Sequence, residues 1–211
     1  MLEIKDPVHG YIKLTELEQK LIDTPEFQRL RRIKQLSGAH YAYPGATHTR
    51  FSHSLGTLYL AGYIGDILFA KNFLSKDDLQ KLRVAALLHD IGHGPFSHLF
   101  EEVIFSKRGL THEDLTKRVI TETSIKDILE KYGFSPENIA NLAVGQSKED
   151  PLFMNEIIGG GLSVDVVDYV LRDAYFTGVE YGQVDVHRLL NSFEVHEKEN
   201  RLALDYAAIY S

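Results

Sequence analysis

The 211-residue chain contains no cysteine. That excludes disulfides, zinc–thiolate sites, iron–sulfur clusters and thiol catalysis. Long apolar runs are missing as well. The richest, from Leu55 to Phe69, is broken by Thr57, Tyr59, Gly62 and Asp66, short of the roughly 18 residues that a membrane helix needs. The opening MLEIKDPVHG lacks a basic stretch, an apolar run and a small-residue cleavage site, so it does not read as a targeting segment. The protein is expected in the cytoplasm, with no membrane partner. A basic excess is lacking too: 23 Lys and Arg face 30 Asp and Glu, a formal charge of −7. A generic nucleic-acid coat needs the opposite balance, so nucleic acid is not expected as the main ligand. No internal repeat or low-complexity linker divides the chain, and its length favours one domain.

What is abundant is histidine. Ten are present, seven of them between His40 and His112. Around them the pattern is mostly helical. LEIKDPVHGYIKL alternates weakly around Pro7 and Gly10 and reads as a hairpin. Thr24-Pro25 starts a helix whose apolar side is Phe27, Leu30, Ile33 and Leu36. A long apolar helix is expected from about Phe51 to Phe73. Ser75 with Asp78 caps the next, which runs into His89-Asp90 and is broken by Gly92 and Gly94. Thr111 with Asp114, Ser124, and Ser135 before Pro136 mark further starts. Gly133 and Gly145 mark ends. A helix from about Ser163 to Phe176 stops near Gly178. SFEVHEKENRLAL reads as two short strands around a polar turn. The expected fold is all-α with short β-hairpins towards the two ends.

The chemistry concentrates in HDIGHGPFSH, residues 89 to 98. Imidazole and carboxylate are the ligand types for a borderline divalent metal where thiolates are absent. The two glycines are expected to let the backbone turn sharply and return His93 towards His89. His53 opens the long apolar helix. On the Ser163–Phe176 helix, Asp165, Asp168, Tyr169 and Arg172 share one face. An aspartate on so apolar a helix either ligates something or pairs with a cation. Arg172 is the natural partner for Asp168, whereas Asp165 has no cation one turn away.

The order His, His-Asp, Asp is that of the HD-domain metal-dependent phosphohydrolases. DPVHGYIKL, TPEFQRLRRIKQL, YPGATHTRFSHSLG, LLHDIGHGPFSHLFE, THED and SVDVVDYVLRDAYFTG closely resemble the deoxynucleoside triphosphate triphosphohydrolases, from about Asp6 to Tyr181. The resemblance implies His53, His89, Asp90 and Asp165 as ligands of one divalent metal ion. The sequence does not choose among manganese, iron, nickel, zinc and magnesium, though imidazole ligands tilt away from magnesium alone. By the same resemblance His112 is the catalytic histidine and protonates the leaving oxygen of the nucleoside. His93 and Glu101 are its partners, Glu101 standing where some members carry Asp. His98 and Arg50 would contact phosphate, Gln35 and Leu36 the deoxyribose, and Tyr169 and Asp173 the region of the 3′-hydroxyl. Leu36 has a second reading as core, because it also falls on the apolar stripe of its helix.

The basic run Arg29, Arg31, Arg32 and Lys34 has two readings, a solvated helix face or part of a regulatory site. In nucleotide-regulated members an Asp, a Gln and an Arg near here bind an activating nucleotide between subunits, and Asp23, Gln28 and Arg31 match those types. Leu2 occupies the place of a basic residue expected on the first strand. Family chains continue past this point with helices that help dimerise. DYAAIYS resembles the lead-in to such a helix, so residues 1–211 are expected to be a single catalytic core lacking a C-terminal helical region. The full-length form is expected to be a homo-oligomer, dimer or tetramer. The activity implied is metal-dependent hydrolysis of a deoxynucleoside triphosphate to deoxynucleoside and inorganic triphosphate. The alternatives are a nucleotide phosphatase, a cyclic-nucleotide phosphodiesterase, and a nucleotide-binding regulatory module without turnover.

Overall fold

The computed structural model describes residues 2–97, 100–105, 109–180, 182 and 184–205. Both expected hairpins form. β1 (Leu2–Asp6) pairs antiparallel with β2 (Gly10–Leu14), and β3 (Phe193–His196) with β4 (Arg201–Leu204). The first turn is shaped by Asp6, whose Oδ1 accepts the backbone N–H groups of Val8 and His9 at 3.0 and 2.9 Å. Gly10 follows with a φ of 81°, a conformation that glycine adopts without steric cost.

Between the hairpins lie α1 (Glu16–Ile22), α2 (Pro25–Gln28), α3 (Arg50–Ala70), α4 (Lys76–Leu88) and α5 (His112–Glu122). They are followed by α6 (Ser124–Lys131), α7 (Pro136–Ala143), α8 (Leu152–Gly159), α9 (Val164–Thr177) and α10 (Val186–Asn191). The start signals hold at Thr24, Ser75, Thr111, Ser135 and Ser163, each accepting a backbone N–H from the first turn. At α6 the cap is Thr123, one residue before the expected Ser124. Helices α1, α8 and α10 lie outside the segments expected to be helical. Yet Thr15 and Glu18 form a complete capping box at α1.

Helix α3 is the axis of the fold. Fourteen of its 21 residues are buried, and it touches α4, α9, α10 and β2. A helix covered on nearly every side needs apolar or small residues all round. Leu58, Leu60, Ala61, Ile64 and Leu68 supply the former. Gly65 supplies the latter, since a Cβ there would come within 2.2 Å of Leu79 on α4. Among the described residues no helix is long and apolar enough to cross a membrane.

One element departs from expectation. The helix begun at Thr24 does not run on to Leu36. It tightens into a 3₁₀ turn over Arg29–Arg32 and ends at Ile33, which is extended. The backbone of 33–35 pairs instead with 48–50: Gln35 N–H donates to His48 O at 3.1 Å and Arg50 N–H to Ile33 O at 2.9 Å. These bonds satisfy the segment leading into α3 and place Gln35 and Leu36 beside it.

Candidate active site

Three helix ends and one loop meet at the site. His53 lies on the first turn of α3, Asp165 on the first turn of α9, His89 at the end of α4 and Asp90 immediately after it. His53 Nε2 is 3.0 Å from Asp165 Oδ1 and 3.6 Å from Asp90 Oδ2. His89 Nε2 is 3.4 Å from Asp90 Oδ1 and 3.6 Å from Asp165 Oδ1. His89 Nδ1 donates to Ala86 O at 2.7 Å, so its other nitrogen faces the cluster. Both Nε2 atoms are buried and outside hydrogen-bonding geometry with any acceptor. Buried ring nitrogens without a bond, flanked by carboxylates, form the nitrogen–oxygen donor set of a divalent metal. Ligand atoms of His53, His89 and Asp90 all lie within 4.8 Å of one another, so these three residues can hold a metal ion.

The local field favours positive charge at that point. Burial opposes a proton on His53, but the carboxylates of Asp165, Asp168 and Asp90 outweigh it and lift its pKa to about 10. His89 is raised in the same way, by Asp90 and Asp165 against burial. Asp90 and Asp165 are both held below the usual carboxylate range, because the neighbouring imidazoles outweigh the cost of burying their charge. For Asp90 the guanidinium of Arg50, to which it is paired, adds to this.

Beside this cluster stand His93 and His112. His93 Nε2 is 3.3 Å from Asp90 Oδ1, and burial pushes its pKa down to about 3 despite that carboxylate. His112 begins α5. Glu101, on a π-helical turn at Glu101–Phe105, accepts from its ring Nδ1 and from its backbone N–H, both at 3.0 Å. The expected carboxylate–histidine contact is therefore present. The chain turns back as expected: His93 N–H donates to Asp90 O at 3.1 Å, and the Nε2 atoms of His89 and His93 lie 3.4 and 3.3 Å from the same Asp90 Oδ1. Neither Gly92 nor Gly94 uses a positive φ for this. What they provide is space. A Cβ on Gly92 would meet His112 O at 2.3 Å, and one on Gly94 the ring of Phe100 at 2.6 Å. The left-handed residues of this loop are Phe96 and Ser97, with φ of 64° and 49°. Ser97 is anchored by Arg50, whose guanidinium bonds its Oγ at 2.7 Å. From the other side Arg29 donates to the backbone carbonyls of Ile91 and His93.

A cavity of about 260 Å³ opens on the cluster, lined by His89, Asp90, His93, His112, Asp165 and Arg50. Gln35, Arg50 and Tyr169 also line an adjoining cavity of about 480 Å³, together with Leu36, Ser97 and Asp173. Leu36 is half-buried in that wall rather than in the core. A larger cavity of about 750 Å³, walled by Val8, Leu171 and Tyr175, contains none of the site residues.

Residues 50–173 match the model of the HD domain family. The chain belongs to that family. It is 37% identical to the human deoxynucleoside triphosphate triphosphohydrolase SAMHD1 over 236 residues, covering 97% of this chain and 38% of that protein. It is 41% identical to the uncharacterized protein YwfO of Bacillus subtilis, covering 92% of this chain and 45% of that one. Two crystal structures share the fold. One is a hypothetical protein from Aquifex aeolicus, with a TM-score of 0.87 and 38% identity over 99% of this chain and 55% of that chain. The other is a phosphohydrolase from Bacteroides thetaiotaomicron, with a TM-score of 0.85 and 33% identity over 100% and 50%. The chain thus spans less than half the length of either curated relative.

Within this HD domain most of the expected site residues converge. His98 lies outside the described residues. Asp23, Gln28 and Arg31 sit apart from the cavity. Arg31 Nε donates to Gln28 Oε1 at 2.8 Å, and Gln28 Nε2 to Ile22 O beside Asp23. Sequence reasoning missed His48, which bonds Asp173 at 2.7 Å and stacks on Phe176. It also missed His9 and Asp6, which join Asp168 and Arg172 behind His53. Their only signal was their place in DPVHG, one of the segments that carries the resemblance.

Proposed function

We propose that this chain is the catalytic core of a metal-dependent phosphohydrolase that cleaves a deoxynucleoside triphosphate to deoxynucleoside and inorganic triphosphate. The observation that carries the reading is the pairing of an imidazole–carboxylate cluster with a carboxylate-held histidine across one small cavity. The resemblance to SAMHD1, itself named as such a triphosphohydrolase, supplies the substrate class. His53, His89, Asp90 and Asp165 would hold one divalent ion. A bound ion would polarise the phosphoryl group and favour deprotonation of water.

The chain's own residues account for the rest. Arg50, buried and paired with Asp90, lines both cavities, and phosphate oxygens would enter beside its guanidinium. Water adds to the α-phosphorus, the bond from phosphorus to the 5′ oxygen breaks, and His112 gives that oxygen its proton. Glu101 orients His112, and His93 packs against it. Leu36 closes the sugar end with apolar surface that cannot satisfy a 2′-hydroxyl. Gln35, Tyr169 and Asp173 provide polar contacts along the same wall, and His98 is assigned to phosphate on resemblance only. Asp23, Gln28 and Arg31 are assigned to an activating nucleotide, and the assembly to a dimer or tetramer, on the same ground.

The test is product analysis. Protein with added manganese and each of the four substrates, with mixed nucleotides present as activators, should release tripolyphosphate, resolved by ion-exchange chromatography. Orthophosphate or pyrophosphate in its place would establish a phosphatase or phosphodiesterase instead. Nucleotide binding without any product would leave a regulatory module.

A further inference from the structure

Asp168 is fully buried on α9 and accepts four hydrogen bonds. Its Oδ1 takes them from His9 Nε2 at 2.6 Å and Arg172 Nη2 at 2.9 Å. Its Oδ2 takes them from His53 Nδ1 at 2.7 Å and Arg172 Nε at 2.8 Å. A carboxylate offers about four lone-pair directions, so this one is saturated as an acceptor and has no proton to give. His53 Nδ1 must therefore be the donor. The ring nitrogen left for a metal is Nε2, the atom that faces His89, Asp90 and Asp165.

The hairpin of β1 and β2 holds this arrangement from behind. His9 comes from its turn and stacks on Tyr59 of α3, with ring centroids 5.0 Å apart. Asp6 ends β1, shapes the turn through the N–H groups of Val8 and His9, and pairs with Arg172 at 2.8 Å. Arg172 is thus clamped between Asp6 and Asp168, both buried. The helix that carries His53 also makes room for the clamp. A Cβ on Gly56 would lie 1.8 Å from Asp168 Oδ1 and 2.4 Å from Arg172 Nη2.

We propose that His9 and Asp168 are positioning residues for the metal centre. The N-terminal hairpin, through His9 and through Asp6 and Arg172, locks Asp168, and Asp168 locks the tautomer and ring orientation of His53. The proposal rests on the reading of His53 as a metal ligand. Carboxylate partners of ligating histidines commonly govern affinity about 10- to 100-fold.

The test uses the whole chain stripped of metal and titrated with cobalt(II). Affinity is read by competition with a fluorescent chelator, and geometry by the visible absorption spectrum of the bound ion. His9→Ala should weaken cobalt binding about tenfold or more and alter the spectrum. His9→Gln places an amide N–H within reach of the same carboxylate oxygen and should recover most of both. Gly56→Ala approaches from the opposite side and should weaken binding without touching the hairpin. Melting of the stripped proteins separates positioning from general stability. Wild-type affinity and spectrum in His9→Ala would overturn the proposal. So would a loss that tracks melting temperature and is not recovered by His9→Gln. If His9→Ala does not fold, His9→Gln and Gly56→Ala decide by the same readings. Failure of the wild-type chain to bind cobalt would instead remove the metal reading on which the proposal rests.

Discussion

The imidazoles of His93 and His112 stack, with centroids 4.2 Å apart and planes inclined by 17°. Two stacked rings cannot both carry positive charge cheaply in a partly buried site. Burial keeps His93 neutral, with its pKa pushed down to about 3. Glu101 holds the other ring of the pair through its Nδ1 at 3.0 Å, so His112 is the histidine oriented for the proposed acid role. His112→Gln should lower kcat by about 10²- to 10⁴-fold while metal content, measured on gel-filtered protein, stays unchanged. Wild-type kcat in this variant would remove His112 from the acid role.

The proposed metal site predicts the opposite pattern. His53→Ala and Asp165→Ala remove atoms that lie 3.0 Å apart at its centre. Each should lower bound metal directly, and turnover should fall with occupancy. Chelation of the wild-type protein should abolish turnover, and manganese should restore it. Elemental analysis of the same samples used for assay checks the correlation. Full occupancy in both variants would contradict the assignment.

Local chemistry was legible in the sequence, and long-range chemistry was not. The pairing of Asp168 with Arg172 spans one helical turn, so the i, i+4 rule reached it. The caps at Ser75, Thr111 and Ser163 were legible for the same reason. His9 meets Asp168 across 159 positions and His48 meets Asp173 across 125. Only the packing of the hairpin and α3 against α9 brings those pairs together, and no periodicity encodes it. The apolar spacing of Phe27, Leu30, Ile33 and Leu36 misled because it continues after the backbone has turned extended to pair with 48–50. The turn that returns His93 towards His89 is legible from the two glycines of the His-Asp loop, whereas the close approach of His112 and Phe100 to them is a long-range contact that the spacing does not encode.

That close approach gives a stability prediction. Gly92 N–H donates to Thr116 Oγ1 at 3.0 Å, and the same hydroxyl donates to His89 O at 3.1 Å. The loop and the first turn of α5 are thereby locked together. Gly→Ala at a compatible site stabilises by about 0.4–1 kcal/mol. Here the added Cβ would lie 2.3 Å from backbone atoms of both His112 and Thr116, and backbone cannot rotate away. Gly92→Ala should therefore destabilise by about 1–3 kcal/mol, read as a lower urea midpoint at an unchanged slope. Because the shift moves His112 relative to Asp90, kcat should fall more than melting accounts for.

Leu36 carries the prediction about substrate. Its helix ends before it, and it stands half-buried in the wall that also contains Gln35, Tyr169 and Asp173. If that wall receives the sugar, Leu36 opposes a 2′-hydroxyl by bulk and by offering it no hydrogen bond. Leu36→Ala removes the bulk. The ratio of kcat/KM for a ribonucleoside triphosphate to that for its deoxy counterpart should then rise about 10-fold or more, within the roughly 10- to 200-fold range of apolar pocket discrimination. The rise should come chiefly from the ribonucleotide, with only a modest loss on the deoxy substrate. A residue acting as core would behave otherwise: Leu36→Ala would cost about 2–5 kcal/mol of stability and depress both substrates alike. Parallel urea unfolding and substrate competition separate the two outcomes, and an unchanged ratio would take Leu36 out of the sugar contact.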